Sequence, residues 1–416
     1  MNAEVFTWAT GIEDTFIPQA RPGLRALDEY ALTQHYTLWK EDLDRAAESG
    51  ARALRWGIPW YRVQPEPHHW DWRWTDEVLE YMVCQKGLTP ILDLMHYGTP
   101  LWLENSFINA SYPQRVSEYA TAVAQRYHTL VRYYTPMNEP MVAADFCGRR
   151  AEWPPYLSGD DGYVKVLTAV ARGMTLTAQA LHAEQPGSLT VQVEALWYYW
   201  TRSETLRQRV ELNNQAQYLC FDLATGRVDE QHPLYAFLCR HGFSAADLIW
   251  FQEHAVQFDL FGANFYPWSY GEVAESRRSG WRALPKRPDG GAIAEAIQQA
   301  HRRYDLPVMV TETSANADLA GRARWMDETV MAVRELRAAG VPVVGYTWFP
   351  LLAMVDWAYR RGRRPLKDYL IHLGLYDSQL DADGILQRQP TPLLAQYRRH
   401  TAAPMPPLNG ETHARA

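Results

Sequence analysis

Tyr134-Thr135-Pro136-Met137-Asn138-Glu139-Pro140 and Pro307-Val308-Met309-Val310-Thr311-Glu312-Thr313 are the two stretches on which the fold turns. Each places a glutamate just past an apolar, strand-like run. In a parallel α/β barrel, that is where a strand opens onto the active-site face. The ordinary fate of a glutamate is a solvated surface charge, and a position behind an apolar strand weakens that reading for both residues.

The same rhythm repeats outward from these stretches. Short runs rich in Val, Ile, Leu and aromatic residues at 5–10, 53–59, 89–95, 131–137, 189–195, 259–264, 308–311 and 341–347 predict eight strands. Between them, apolar residues three and four apart predict helices over 32–48, 76–86, 114–128, 163–184, 293–304 and 320–339. The longer fifth connection, 203–254, is expected to hold several more. Gly50, Gly87 and Gly340 each follow a last helical turn and shortly precede the next strand. Strand–helix alternation implies parallel strands, and eight units imply closure into a single (β/α)8 TIM barrel with extended βα loops. The catalytic domain is assigned to 1–403 and an irregular tail to 404–416.

Composition narrows the partners. With 48 acidic against 41 basic residues the net charge is -7, which offers no footprint for nucleic acid and no basic helix for a membrane surface. No run approaches the ~20 apolar residues of a membrane span, and Met1-Asn2-Ala3-Glu4 lacks the start of a secretion signal, so a cytoplasmic protein is expected. Cys84, Cys147, Cys220 and Cys239 lie too far apart to suggest a zinc site or a disulfide framework, and are expected to be buried free thiols. The 17 Trp and 24 Tyr suit stacking on the flat C–H faces of sugars, and suit a core equally well.

Cleaving a glycosidic bond takes two carboxyl groups, one protonated and one ionised. Glu139 and Glu312, fixed at the ends of different strands, are the expected catalytic pair, and no metal or organic cofactor is called for. Pro140 would hold the turn after the strand, while the Asn138 amide would reach a substrate hydroxyl. Arg55 lies inside the apolar run Leu54-Arg55-Trp56-Gly57-Ile58, where a charge is expected to be paired in the interior.

In these residues and their order the chain resembles the family 1 glycoside hydrolases, the retaining β-glucosidases and β-galactosidases. Asn138-Glu139-Pro140 matches the acid/base motif Thr-x-Asn-Glu-Pro, with Pro136 in the threonine's place. Val310-Thr311-Glu312-Thr313-Ser314 keeps the Thr-Glu of the nucleophile motif and loses the Asn-Gly that follows. The resemblance implies a small-molecule or oligosaccharide β-glycoside substrate, hydrolysed by double displacement with Glu312 as nucleophile. It implies that Arg55 keeps the nucleophile ionised, that His96 binds the reacting sugar, that Tyr266 donates to the nucleophile and that Trp348 lies beneath the sugar. His372-Leu373-Gly374-Leu375-Tyr376-Asp377 resembles the family's closing segment.

The departures bear on substrate. The glutamine usual after the first strand is missing, and Glu13 is the candidate replacement. Asp356-Trp357 stands for a Glu-Trp pair that grips distal hydroxyls. Arg360, Arg361, Arg363 and Arg364 form a basic loop, which reads as a solvated turn or as recognition of an acidic glycone. Trp197-Tyr198-Tyr199-Trp200 with Trp268, Tyr270 and Trp281 is a candidate aglycone platform. A transglycosylase would use the same pair, and a catalytically silent carbohydrate-binding barrel is the alternative from another class. Oligomeric state is left open.

Overall fold

Each of the eight apolar runs holds a strand: β1 (Thr7–Gly11), β2 (Ala53–Gly57), β3 (Thr89–Asp93), β4 (Tyr133–Thr135), β5 (Leu189–Ala195), β6 (Leu260–Asn264), β7 (Val308–Thr313) and β8 (Val343–Trp348). The computed structural model describes residues 6–277 and 280–408; Val5 of the first run, Met1-Asn2-Ala3-Glu4 and 409–416 of the expected tail lie outside the described residues. All eight strands pair in parallel, and the ring closes because β1 pairs with both β2 and β8. Gly11 stands opposite Arg55, and Thr10 opposite Trp348.

Parallel strands joined by helices are covered on both faces, and β7 and β8 are accordingly buried along their whole length. Alternate residues point inward. Ala9, Ala53, Ile91, Val193, Met309 and Val344 meet in a separate cluster that fills the barrel. Because this plug is solid, a site can form only at the barrel's end, where polar residues close the strands.

The outer layer follows the expected helices, observed at His35–Glu48, Arg73–Glu80, Tyr112–Tyr127, Gly159–Glu184, Gly290–Tyr304 and Leu319–Ala338. The fifth connection holds Glu204–Ala216, Leu219–Ala224, Tyr235–Arg240 and Ala245–Glu253. It also contributes Tyr198–Trp200 to a three-stranded sheet with Tyr270–Ser276 and Gly280–Pro285 from the loop after β6. A final helix, Pro392–Ala402, closes the outer ring, and its Tyr397 hydroxyl donates to Ala9 O at 2.6 Å. Past it the chain is irregular. Arg334 and Arg337 donate to the carbonyls of Pro404 (2.6 Å) and Pro406 (2.9 Å). Cys147 and Cys220 are buried as expected, whereas Cys84 and Cys239 are exposed, being carried on the outer turns at Tyr81–Gln85 and Tyr235–Arg240. Among the described residues no helix is long and apolar enough to cross a membrane.

Candidate active site

With Met309 inside the barrel, strict alternation along β7 would turn Glu312 toward the helices. One extra residue prevents this. Val310 stands opposite Ala263 of β6, yet Glu312, not Thr311, stands opposite Asn264, and the pairing with β8 slips as well. The bulge re-aims Glu312 into the cavity at the barrel mouth. There Arg55 Nη1 bonds Glu312 Oε1, and the Tyr266 hydroxyl donates to Oε2 at 2.6 Å. Arg55 Nη2 also donates to Asp93 Oδ2 (2.5 Å) and Asn138 Oδ1 (2.6 Å). Burial opposes a charge on this guanidinium, but Asp93 and Glu312 hold its pKa above the usual value. It is a permanent counter-charge for Glu312. Burial and the Glu312 charge push the Tyr266 phenol well up, so it remains a donor.

Glu139 has no such cation. The Tyr97 hydroxyl donates to its Oε2, and Asn264 Nδ2 donates to its Oε1 at 2.9 Å. Burial, reinforced by the charge of Glu312, pushes the carboxyl up to about 7, with the bonds from Tyr97 and Asn264 pulling the other way. Both ends of the Tyr97–Glu139 contact are held at positive φ, 73° and 42°. That region is disfavoured for side-chain-bearing residues and costs of order 1–3 kcal/mol each, a strain that recurs at working sites. Asn138 ties the two acids together: it accepts from Arg55, its Nδ2 donates to Tyr97 Oη (3.0 Å), and the same Nδ2 lies 2.8 Å from His96 Nε2.

Beneath the pair lies a second group of acids. The loop after β1 brings Asp14 Oδ1 to 2.8 Å from His96 Nδ1. A Cβ on Gly57 would stand 1.7 Å from Asp14 Oδ2, so only glycine at the end of β2 leaves room for that carboxylate. Glu13 Oε1 accepts from Thr15 N (3.1 Å) and Oγ1 (2.6 Å), leaving Oε2 for a ligand. Burial pushes Glu13 up to about 7 and Asp14 up to about 6, with His96 opposing in both. Ligand atoms of Asp14, Asp93 and His96 lie within 4.8 Å of one another, a spacing that suits a cation. Arg55 already rests on Asp93, so the protein supplies that positive charge itself.

These residues line or back a cavity of about 1110 Å³. Of the residues singled out in the sequence, Glu13, His96, Glu139, Tyr266, Glu312, Asp356 and Trp357 lie on its wall. Arg55 and Asn138 are buried behind it and act through their hydrogen bonds. Trp348 is not on the wall: it is fully buried, and its indole N–H donates to Leu373 O at 3.1 Å. Trp357 supplies the aromatic face instead, and the Asp356 carboxylate caps the short turn by accepting from Ala358 N at 2.7 Å. None of the four loop arginines reaches the cavity. Arg360 is buried against Arg25 O and the Tyr156 hydroxyl, both at 2.7 Å, and Arg361 pairs with Glu152 at 3.6 Å. Of the aromatic platform, Trp197, Tyr199 and Trp268 face the cavity, and Trp268 stacks on Tyr266 at 4.5 Å. Tyr198 turns away to stack on Tyr270.

Among the residues that escaped the sequence reading are Asp93, Asn264 and Glu194. Each is a polar residue closing an apolar strand on β3, β6 or β5, which is the signal that would have found it. Glu194 is buried, and its Oε1 accepts from Ala195 N at 2.9 Å. Burial and the neighbouring Glu139 charge push it far above the usual carboxylate range, so it is held as a neutral acid.

Comparison with known proteins bears on family and fold. The profile of Glycosyl hydrolase family 1 matches residues 10–218, which carry the end of β1, β2 to β5 and Glu139. A thermostable beta-glucosidase B of Thermobispora bispora is 26% identical over 371 residues, covering 79% of this chain and 75% of its own length. An aryl-phospho-beta-D-glucosidase of Bacillus subtilis is 22% identical over 363 residues, 76% of each chain. In fold the chain is similar to a beta-glucosidase from Thermotoga maritima solved with deoxynojirimycin, with a TM-score of 0.81 at 18% identity over 96% of this chain and 98% of that one. Matched over half its length by one family and paired with a β-glucosidase relative over most of it, the chain belongs to glycosyl hydrolase family 1 and is a β-glucosidase-like glycoside hydrolase.

Proposed function

We propose that the protein is a retaining β-glycosidase working by double displacement. The asymmetry between its two acids carries this reading: Glu312 is paired with Arg55 and Tyr266, whereas Glu139 is hydrogen-bonded to the neutral Tyr97 and Asn264 and is pushed up to about 7. An acid with that value keeps its proton in about half of the molecules at neutral pH and gives it up readily. Glu312 attacks the anomeric carbon, and Glu139 protonates the departing glycosidic oxygen. Glu139, now ionised, takes a proton from water as the water oxygen displaces Glu312, which releases the sugar with its anomeric configuration kept. The Tyr266 hydroxyl and Arg55 hold Glu312 in the line of attack. The relatives' names direct the first trials to β-D-glucosides. A phosphorylated glycone is disfavoured, since Arg360, Arg361, Arg363 and Arg364 all lie off the cavity wall.

The test is hydrolysis of aryl β-glucosides by wild type and Glu312→Gln, with the first-formed anomer followed by NMR. A slow 2-fluoro glycoside should leave a covalent adduct on Glu312, detectable by mass spectrometry. An α-anomer as first product, or unimpaired turnover by Glu312→Gln, overturns the assignment.

A further inference from the structure

The cavity exceeds what one sugar ring needs. At about 1110 Å³ it lies beyond the roughly 300–1,000 Å³ usual for small-molecule pockets. Its two ends differ in chemistry. The end around the catalytic pair is acidic, lined by Glu13, Glu139, Glu312 and Asp356. The other end is built largely by the insertion after β5, where Leu212, Leu219, Leu234 and Phe237 join Met141 and Val142 in an apolar wall. Arg149, Arg150, Arg209 and Arg240 border that wall, with Asp145 as its lining carboxylate.

The four arginines are not equivalent. Arg149 pairs with Asp145 (3.3 Å) and Asp160 (3.0 Å), and Arg150 pairs with Asp145 at 2.5 Å. Arg209 and Arg240 pair with no carboxylate among the described residues, although the chain carries seven more acids than bases overall. Arg209 lies over the Trp281 ring at 4.9 Å, an arrangement that orients a guanidinium while leaving its edge donors available. Uncompensated arginines beside an apolar wall mark a ligand with an apolar body and an anionic end.

We propose that the leaving group of the natural substrate is a large apolar aglycone bearing a carboxylate, which pairs with Arg209 and Arg240. This rests on the β-glycosidase reading and specifies the other half of the same site. The acidic end repels the carboxylate and the basic end attracts it, so the charge also fixes which way the substrate enters.

The test compares biphenyl-4-yl β-glucoside with its 4′-carboxy analogue, using 4-nitrophenyl β-glucoside as reference. For wild type the carboxylate should raise kcat/KM about tenfold, mainly through KM, as a charge-assisted pair at an exposed site allows. In Arg209→Gln/Arg240→Gln the ratio should fall to about one; in Arg209→Lys/Arg240→Lys part of it should remain, and added salt should shrink it. Calorimetric binding of both biphenyl glucosides to Glu312→Gln reads the same preference without turnover. Equal kinetics and binding for the pair, or a ratio unchanged in the double Gln variant, overturn the proposal. Loss of 4-nitrophenyl glucoside hydrolysis in wild type would instead count against the β-glycosidase reading, while the binding comparison still decides the aglycone.

Discussion

Tyr97→Phe isolates one hydrogen bond from the rest of the site. The phenol donates to Glu139 Oε2 and accepts from Asn138 Nδ2, and its ring packs against His96, Trp153 and Trp357. Phenylalanine keeps the ring contacts and deletes only the hydroxyl. A hydrogen bond to a charged group contributes about 1.5–3 kcal/mol, and 1.36 kcal/mol corresponds to one pH unit in a pKa. Asn264 still donates to the other oxygen at 2.9 Å, and cavity water can replace part of the loss, so the low end applies. The bond stabilises the ionised form, so its removal should raise the Glu139 pKa by about one pH unit from its value of about 7. The basic limb of kcat/KM, which reports this acid in the free enzyme, should move alkaline by that amount. At high pH the variant would outlast wild type in the first step. Profiles with a 4-nitrophenyl glycoside would settle it, and a basic limb that stays in place or moves toward acid would refute the assignment of Tyr97 to Glu139.

Other outcomes follow from the same geometry. Glu139→Gln should cost about 10²–10⁴-fold in kcat/KM for glycosides with poor leaving groups, and much less with dinitrophenolate, which needs no proton; equal losses for both would remove Glu139 from the acid role. Arg55→Met leaves Asp93 and Glu312 without their buried counter-ion and should cost about 3–5 kcal/mol of stability together with activity, read by denaturant titration and by kinetics. Asp42, far from the cavity, accepts from buried Arg388 at 2.8 Å and lies against His35 at 2.9 Å. Burial opposes its charge, yet the bonds from His35 and Arg388 hold its pKa below the usual value. Such a carboxylate stabilises the fold above its unfolded value and loses that contribution as pH falls toward the folded one. Wild type should therefore weaken below about pH 4, and Asp42→Asn should be less stable near neutrality with a flatter acid slope; identical acid melting of the two proteins would contradict this. Trp268→Ala removes the stacking partner of Tyr266 and should raise KM for aryl glycosides more than it lowers kcat.

The barrel was legible because its strands are apolar on both faces and its helices carry a 3.6-residue stripe, so each element announces itself locally. Glu139 and Glu312 were legible for a related reason, since an acid just past such a strand has few structural uses. Less was readable where the outcome depends on register or on distant partners. The bulge that aims Glu312 is one residue of slip between β6 and β7, and no residue type in Val310-Thr311-Glu312 marks it. Trp348 was assigned to the sugar from its motif, but it is fully buried off the cavity wall and Trp357 takes the cavity face. Asp14 acquires its place from Gly57 and His96, which are distant in sequence. The loop arginines read as a solvated turn or an anion site because a run of charge carries no direction, while the arginines that border the cavity, Arg149, Arg150, Arg209 and Arg240, are spread over three elements.

The left-handed backbone at Glu139 sets a price on catalysis. Glycine and asparagine adopt that conformation more readily than glutamate, and neither would place an acidic carboxyl of glutamate's length in a desolvated pocket. Selection for robustness alone would therefore erode the acid, replacing it with a residue that relaxes the turn at no cost to the barrel. On the proposed mechanism the chemistry requires it, and in any laboratory search for hardier variants position 139 is where gains in melting temperature should be met with suspicion.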